Sequence, residues 1–408
     1  MSSIFKNRFI YCILFSALFL QMGIWIRNFS ILLFVTEQTN GNAIAISFIM
    51  LAEYAPIFLF SFLGGTFADR WQPKKTMVWC DILTAISIFA IFAALLFSTW
   101  KVVFFITLIS AVLSQLSQPA GMKLFKQNLP DKLLQPAMSL YQTLSAVFMI
   151  MGPVIGTIVY ENLGLLPSIL ITGSAFLLSA FSLFFITESK NIERESSIHI
   201  ANILDDMRGG IKYVLKNNQL KALGACFLFA GLAVGLIQPM NIFIVMEKLS
   251  LGTEYLQWLL MINGLGMVIG GVISFTLSSK IQPMKFLAIG VAMTAISISI
   301  IGYSTVLTLT LLGQFLYGVF LPVIQIGIHT MVLKNTNDHL IGRVNGILVP
   351  LFSGSMVMSI TLVGILKSVV SVTFIFQVSA CLFLVALAII LRNTKQQSLN
   401  EPGQARNV

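Results

Sequence analysis

The sequence predicts an all-α integral membrane protein, with twelve transmembrane helices in two pseudo-symmetric six-helix bundles. Three observations carry that prediction. Of 408 residues, 57% are hydrophobic and only 10% charged, with a mean hydropathy of +0.91, whereas soluble domains carry about 25% charged residues. Twelve apolar stretches approach the roughly 20 residues that cross a bilayer. The two halves of the chain also share an order of landmark residues. A soluble enzyme, a nucleic-acid binder and a disordered chain are excluded by the composition.

The apolar stretches lie at 9–36, 43–67, 76–98, 102–121, 138–160, 165–187, 221–246, 254–278, 285–303, 306–331, 344–366 and 369–391. The first is too long for a signal-peptide core and has no small-residue cleavage pattern after it, so it is expected to remain as a span. Lys and Arg gather on the cytoplasmic side of membrane proteins. Here 21 of the 25 fall in one alternating set of loops and tails, Lys101, Lys248 and Lys367 fall in the other set, and Arg27 lies inside a span. Both termini of a multi-pass protein are therefore expected on the cytoplasmic side of the membrane. The formal charge of +10 reports orientation rather than an acidic partner.

The longest polar stretch, 188–218, divides the chain. The expected domains are a bundle at 1–187, a cytoplasmic linker at 188–220, a second bundle at 221–392 and a tail at 393–408. Within the linker Ile203, Leu204, Met207, Ile211, Val214 and Leu215 recur near helical spacing, with Asp205, Asp206, Arg208, Lys212 and Lys216 on other faces. This predicts an amphipathic helix along the membrane interface. At a shift of 210 residues Glu37 meets Glu247, Gln72 and Pro73 meet Gln282 and Pro283, and Gln115 meets Gln325; near 207, Asp131 meets Asp338. The common order argues for duplicated architecture, with a substrate path between the halves.

After the second span the chain reads Gly64, Gly65, Thr66, Phe67, Ala68, Asp69, Arg70, Trp71, Gln72, Pro73, Lys74, Lys75. This resembles the signature loop of the major facilitator superfamily, in which a glycine-rich helix end leads into Asp-Arg and a basic cluster. Gln72 replaces the usual second-half glycine, and with Trp71 this looks more like the macrolide-efflux and enterobactin-exporter branch of the drug:proton antiporters. In the fifth span Gly152, Pro153 and Gly156 resemble the core of the antiporter motif, although its flanking glycines are Phe148 and Thr157 here. The segments at 206–214 and 342–346 extend the likeness, so it covers essentially the whole chain. The resemblance implies alternating access, with Gly65, Asp69, Arg70, Lys74, Lys75, Asp81, Gly152, Pro153, Gly156 and Arg343 as gating residues. The fourth span, 102–121, has no basic residue, so the coupling arginine of many drug antiporters is missing.

An ionised side chain at mid-bilayer costs about 2.5–3.5 kcal/mol on insertion scales. Arg27 and Glu53 therefore need a partner or a purpose. Each lies nine or ten residues from the outer end of its span, roughly 13–15 Å deep at about 1.5 Å per residue, so a buried ion pair between adjacent antiparallel helices is geometrically open. A carboxylate that loses such a partner in a dry cavity takes up a proton, which makes Glu53 the expected proton carrier and Arg27 its modulator. Asp81, near the cytoplasmic end of the third span, is expected to pair with the basic loop. Gln21, Asn28, Tyr54, Gln115, Gln118, Gln142, Gln238, Asn241, Trp258, Asn263 and Gln325 are candidate substrate contacts, or simply satisfy one another between helices.

No phosphate-binding glycine loop and no metal-ligand spacing appear. Cys12, Cys80, Cys226 and Cys381 lie in apolar stretches and read as small buried residues. No cofactor or metal is expected. The reading is a monomeric secondary transporter, not an enzyme, whose partners are a small-molecule substrate, protons and the lipid bilayer, with no nucleic acid. Export of drug-like or macrolide-like amphipathic molecules leads. A dedicated siderophore exporter, a lysolipid transporter and a membrane sensor remain open.

Overall fold

The computed structural model describes residues 7–68, 72–95, 101–186, 200–278, 280–337 and 340–400. Every regular element among them is helical: α1 (Arg8–Gln38), α2 (Ala43–Ala68), α3 (Pro73–Leu95), α4 (Val102–Asn128), α5 (Asp131–Leu163), α6 (Leu165–Phe184), α7 (Ile200–Lys216), α8 (Asn218–Ile237), α9 (Asn241–Phe243), α10 (Leu256–Leu277), α11 (Pro283–Tyr303), α12 (Leu307–Asn335), α13 (Ile341–Val369) and α14 (Val372–Asn400). Among the described residues eleven helical segments are long and apolar enough to cross a membrane, and α3 occupies the position expected for the remaining span.

Helix boundaries follow from local chemistry. The Asn7 side chain accepts the Phe9 N–H at 2.9 Å and starts α1; Asn217 does the same for α8 through Gln219 and Leu220, satisfying donors that the first turn leaves orphaned. The repeated Gln-Pro pairs are two equivalent helix starts. Pro73 and Pro283 each open a helix, where a missing N–H costs nothing, and the Gln72 and Gln282 carbonyls accept the first backbone bonds, from Thr76 and Phe286, at 2.9 Å. Gly164 joins α5 to α6 at φ +80°, a conformation that suits a residue without Cβ.

Contacts divide the chain into two compact units, Met1–Ser197 with Thr253–Met261, and Ile198–Gly252 with Ile262–Val408. In the first, α1 packs against α5 and α6, α3 against α4 and α6, and α2 against α4. One core cluster joins Phe9, Ile13, Leu124, Phe125 and Leu183, with the Phe125 ring edge-on to Phe9 and Tyr141 at 5.8 and 5.6 Å. In the second, α8 packs against α13 and α14, and α11 against α12 and α14.

Small residues set the tightest approaches. A Cβ on Gly156 falls 2.7 Å from Phe29 Cβ and 2.9 Å from the Trp25 carbonyl, and one on Gly152 runs into the Trp25 ring. The expected motif of α5 is thus the surface on which α1 lies. In the second unit the equivalent interface is built the other way round: Gly231 and Gly235 sit on α8, against the Phe352 and Met356 carbonyls of α13. The duplicated acids keep equivalent places as well. Tyr160 on α5 donates to Glu37 Oε2 at 2.7 Å, and Lys367 on α13 pairs with Glu247 at 2.8 Å.

Three details depart from the sequence reading. The seventh apolar stretch is not one α-helix, because α8 passes through a 3-10 turn at Gln238–Met240, a single turn of α9 and a π-helical turn at Ile244–Lys248. Pro239, which has no N–H to donate, sits in this break. Cys381 is exposed on α14 rather than buried, as a span residue facing lipid can be. The amphipathic linker helix is α7, and it docks on α8 and α13 of the second unit; Gly210 meets Ile347 and the Arg343 carbonyl, while Ile211 and Leu215 stay exposed.

Candidate functional site

The charges of the first two spans converge inside the first unit. Arg27 on α1 is 6% exposed, and Glu53 on α2 is half-buried. They are linked through Asn28 rather than by direct contact. Arg27 Nε and Nη2 donate to Asn28 Oδ1 at 2.9 and 2.8 Å, and Asn28 Nδ2 donates to Glu53 Oε1 at 2.7 Å. Arg27 Nη1 also donates to the Ser110 hydroxyl of α4. Three helices thus tie one guanidinium to one carboxyl group through a neutral amide, so that each buried polar group has a hydrogen-bond partner. Asn28, expected among substrate contacts, is the middle of this relay, and Ser110 had no place in the sequence reading. A serine within an apolar helix is too common a signal to single it out.

Asp81 departs from its expected pairing with the basic loop. It is 3% exposed and its Oδ2 accepts the Ser179 hydroxyl of α6 at 2.6 Å, while Ser179 shares a hydrogen bond of 2.9 Å with Ser16 of α1. Lys74 Nζ instead donates to the Phe184 and Ile186 carbonyls at 3.2 and 2.6 Å, closing the C-terminal end of α6 as cations do. Lys75 is exposed. Gly65 falls inside α2, and Asp69, Arg70 and Trp71 lie outside the described residues. Depth alone had suggested a loop partner for Asp81; the rotation of α3 turns it inward.

Asp81 lines a cavity of about 380 Å³ inside the first unit, together with Gln21, Gln115, Gln118, Gln142 and Tyr141. Four of the expected substrate contacts therefore meet in one place. Gln21 is held there by donating to Ser145 at 3.0 Å. Tyr54 on α2 is half-buried, and Trp258, at 43% exposure, belongs to this unit.

In the second unit the counterpart of Glu53 is Asn263, and its surroundings are neutral. Asn263 Nδ2 donates to the Gln314 carbonyl at 3.1 Å, and Gln314 Nε2 donates to Asn241 Oδ1 at 3.1 Å. Gln314 is 2% exposed and was missed, although an amide in the middle of an apolar helix is a readable signal. Gln238 is half-buried, and Gln325 and Arg343 are exposed. The irregular turns around Asn241 mark this segment as a departure from regular helix of the kind that collects at functional sites. A wider depression of about 500 Å³, lined by Ile296, Tyr303, Val306, Leu309 and Leu384, has no charged residue among the described ones and fits a lipid-facing surface.

Long apolar helices in two units, with buried polar relays in each, define a multi-pass membrane transporter. The chain belongs to the Major Facilitator Superfamily, whose family model matches residues 13–243 and 223–407. It is 27% identical over 380 residues to an uncharacterized MFS-type transporter, YkuC, of Bacillus subtilis, covering 89% of this chain and 86% of that one. It is 26% identical to the multidrug efflux pump Tap of Mycolicibacterium fortuitum (76% and 78% covered) and 22% identical to macrolide efflux protein A of Streptococcus pyogenes (68% and 68%). Its fold matches the crystal structure of a POT family transporter in complex with 5-aminolevulinic acid at TM-score 0.75 and 13% identity, covering 95% and 96% of the two chains. The efflux relatives agree with the branch that the loop after the second span resembles.

Proposed function

We propose that this transporter exports amphipathic small molecules in exchange for protons, by alternating access, as a monomer in a bacterial inner membrane with both termini in the cytoplasm. The relay Arg27–Asn28–Glu53 is the observation that carries this reading. Glu53 is ionised while Asn28 holds it to Arg27; when movement of α1 against α2 draws the amide away, burial favours the protonated acid, and the proton leaves when the relay reforms. Proton occupancy is thereby tied to conformation. The efflux relatives support outward transport of drug-like molecules, and Asp69, Arg70, Lys74, Lys75 and Arg343 remain proposed gating residues.

The test is Glu53→Gln in proteoliposomes with an imposed pH gradient. The variant keeps the hydrogen bond from Asn28 but cannot titrate. Uphill, gradient-driven movement of substrate is expected to vanish while downhill exchange persists. Normal uphill transport by this variant removes Glu53 from the mechanism.

A further inference from the structure

We propose that the Asp81 cavity is a subsite for the cationic amine or quaternary ammonium group of the transported molecule, with the Asp81 carboxylate as its counter-anion. The proposal rests on the transporter reading for its physiological purpose; the binding step itself does not involve Glu53, which lies outside the lining of this cavity.

Asp81 is carried by α3 and fixed by Ser179 of α6, itself bonded to Ser16 of α1. Only Oδ2 accepts that hydroxyl, and a carboxylate has about four lone-pair sites, so Oδ1 retains acceptor capacity. Among the described residues the titratable or charged groups that line the cavity, taken from all five helices that form it, are Cys80 and Asp81 on α3 and Tyr141 on α5, with no Lys, Arg or His. Lys74, about two turns earlier on α3, is committed to the end of α6. A carboxylate held away from water without a cation is costly, and either a proton or a bound cation relieves that cost. The two are competing occupants.

The rest of the wall suits a bulky cation better than a hydrated metal ion. The Gln115, Gln118 and Gln142 amides offer neutral acceptors, and Met122, Phe125 and Phe176 offer thioether and aromatic surface, which attracts organic cations. At about 380 Å³ the space lies at the lower end of the about 300–1,000 Å³ typical of ligand sites. It accommodates an amine with a few attached rings. An anionic ligand meets the like charge of Asp81 and, among the described residues of the wall, no compensating cation.

The experiment measures binding of ethidium, a permanent cation, and of the neutral dye Nile red, by fluorescence, to the full chain in phosphatidylglycerol nanodiscs. Asp81→Asn and Gln115→Lys, which removes the anion or supplies an internal cation, are each expected to weaken ethidium binding by roughly tenfold or more and to leave Nile red unchanged. Glu53→Gln is expected to keep ethidium binding while losing uphill transport, so failure of the coupling scheme and failure of this subsite are read separately. Equal ethidium affinity in the native chain and both variants overturns the proposal, as does an equal loss of both dyes. Repeating the titration in phosphatidylethanolamine nanodiscs separates a transported amine from a lipid headgroup. Unchanged affinity is expected, and competition by that lipid overturns the assignment to a transported solute.

Discussion

Asn28 and Ser30 lie two residues apart on α1 and make opposite predictions. Asn28 satisfies Arg27 and Glu53 at once, so Asn28→Leu leaves two buried ions without their shared partner, at about 1–3 kcal/mol for each unsatisfied group. Transport is expected to fall by about tenfold or more, and thermal unfolding in the same detergent to come several degrees earlier. Ser30 is buried with a hydroxyl that has no partner among the described residues; Ser30→Ala is expected to be neutral or slightly stabilising. If both variants unfold and transport like the native chain, the relay has no energetic weight. The two ions were readable in the sequence because charge stands out in an apolar run. Asn28 as their link was not, since which amide faces which helix depends on rotation about the helix axis.

Within single elements, glycines separate packing from propensity. Gly209 and Gly210 are neighbours on α7, yet a Cβ on Gly209 meets nothing within 4 Å while one on Gly210 lies 2.6 Å from Ile347 Cδ1 and 3.1 Å from the Arg343 carbonyl. Gly209→Ala is expected to stabilise by about 0.5–1 kcal/mol through helix propensity, and Gly210→Ala to destabilise by about 1–3 kcal/mol through overpacking. Denaturation of the two purified variants checks the sign. A shared sign means that α7 does not dock on α13 as described. On α5, Gly156→Val meets Phe29 and the Trp25 carbonyl of α1 and is expected to cost at least as much as Gly210→Ala, read as loss of folded protein in the membrane. The motif at Gly152, Pro153 and Gly156 was visible as a pattern of small residues; that its partner is α1 required the folded helix pair.

Across the whole molecule, the alternation of Lys and Arg predicts that the segment at 188–218 and both ends of the chain share the cytoplasmic side. Reporter fusions at 195, 217 and 400 are expected to be active only as cytoplasmic reporters, whereas fusions near Lys101 and Lys248 are expected to report the opposite face. An exchange of the two patterns overturns the proposed orientation and, with it, the direction of export. Among the described residues the second unit has a neutral relay, Asn241, Gln314 and Asn263, where the first has Arg27, Asn28 and Glu53. Proton coupling is therefore proposed for the first unit alone.

Composition and period were enough to establish a bilayer-spanning, all-helical chain with a duplicated plan, because burial in lipid demands long apolar helices whatever their neighbours. Gln72 with Pro73 and Gln282 with Pro283 marked equivalent helix starts for the same local reason, the missing proline donor. Partner choice was decided only in three dimensions. Asp81 turned from an expected loop contact to Ser179 and a cavity, Lys74 turned to the end of α6, and Glu53 reached Arg27 only through Asn28. Each of these depends on how far a helix is rotated about its axis, which is set by side-chain packing between helices distant in sequence and leaves no trace in local pattern.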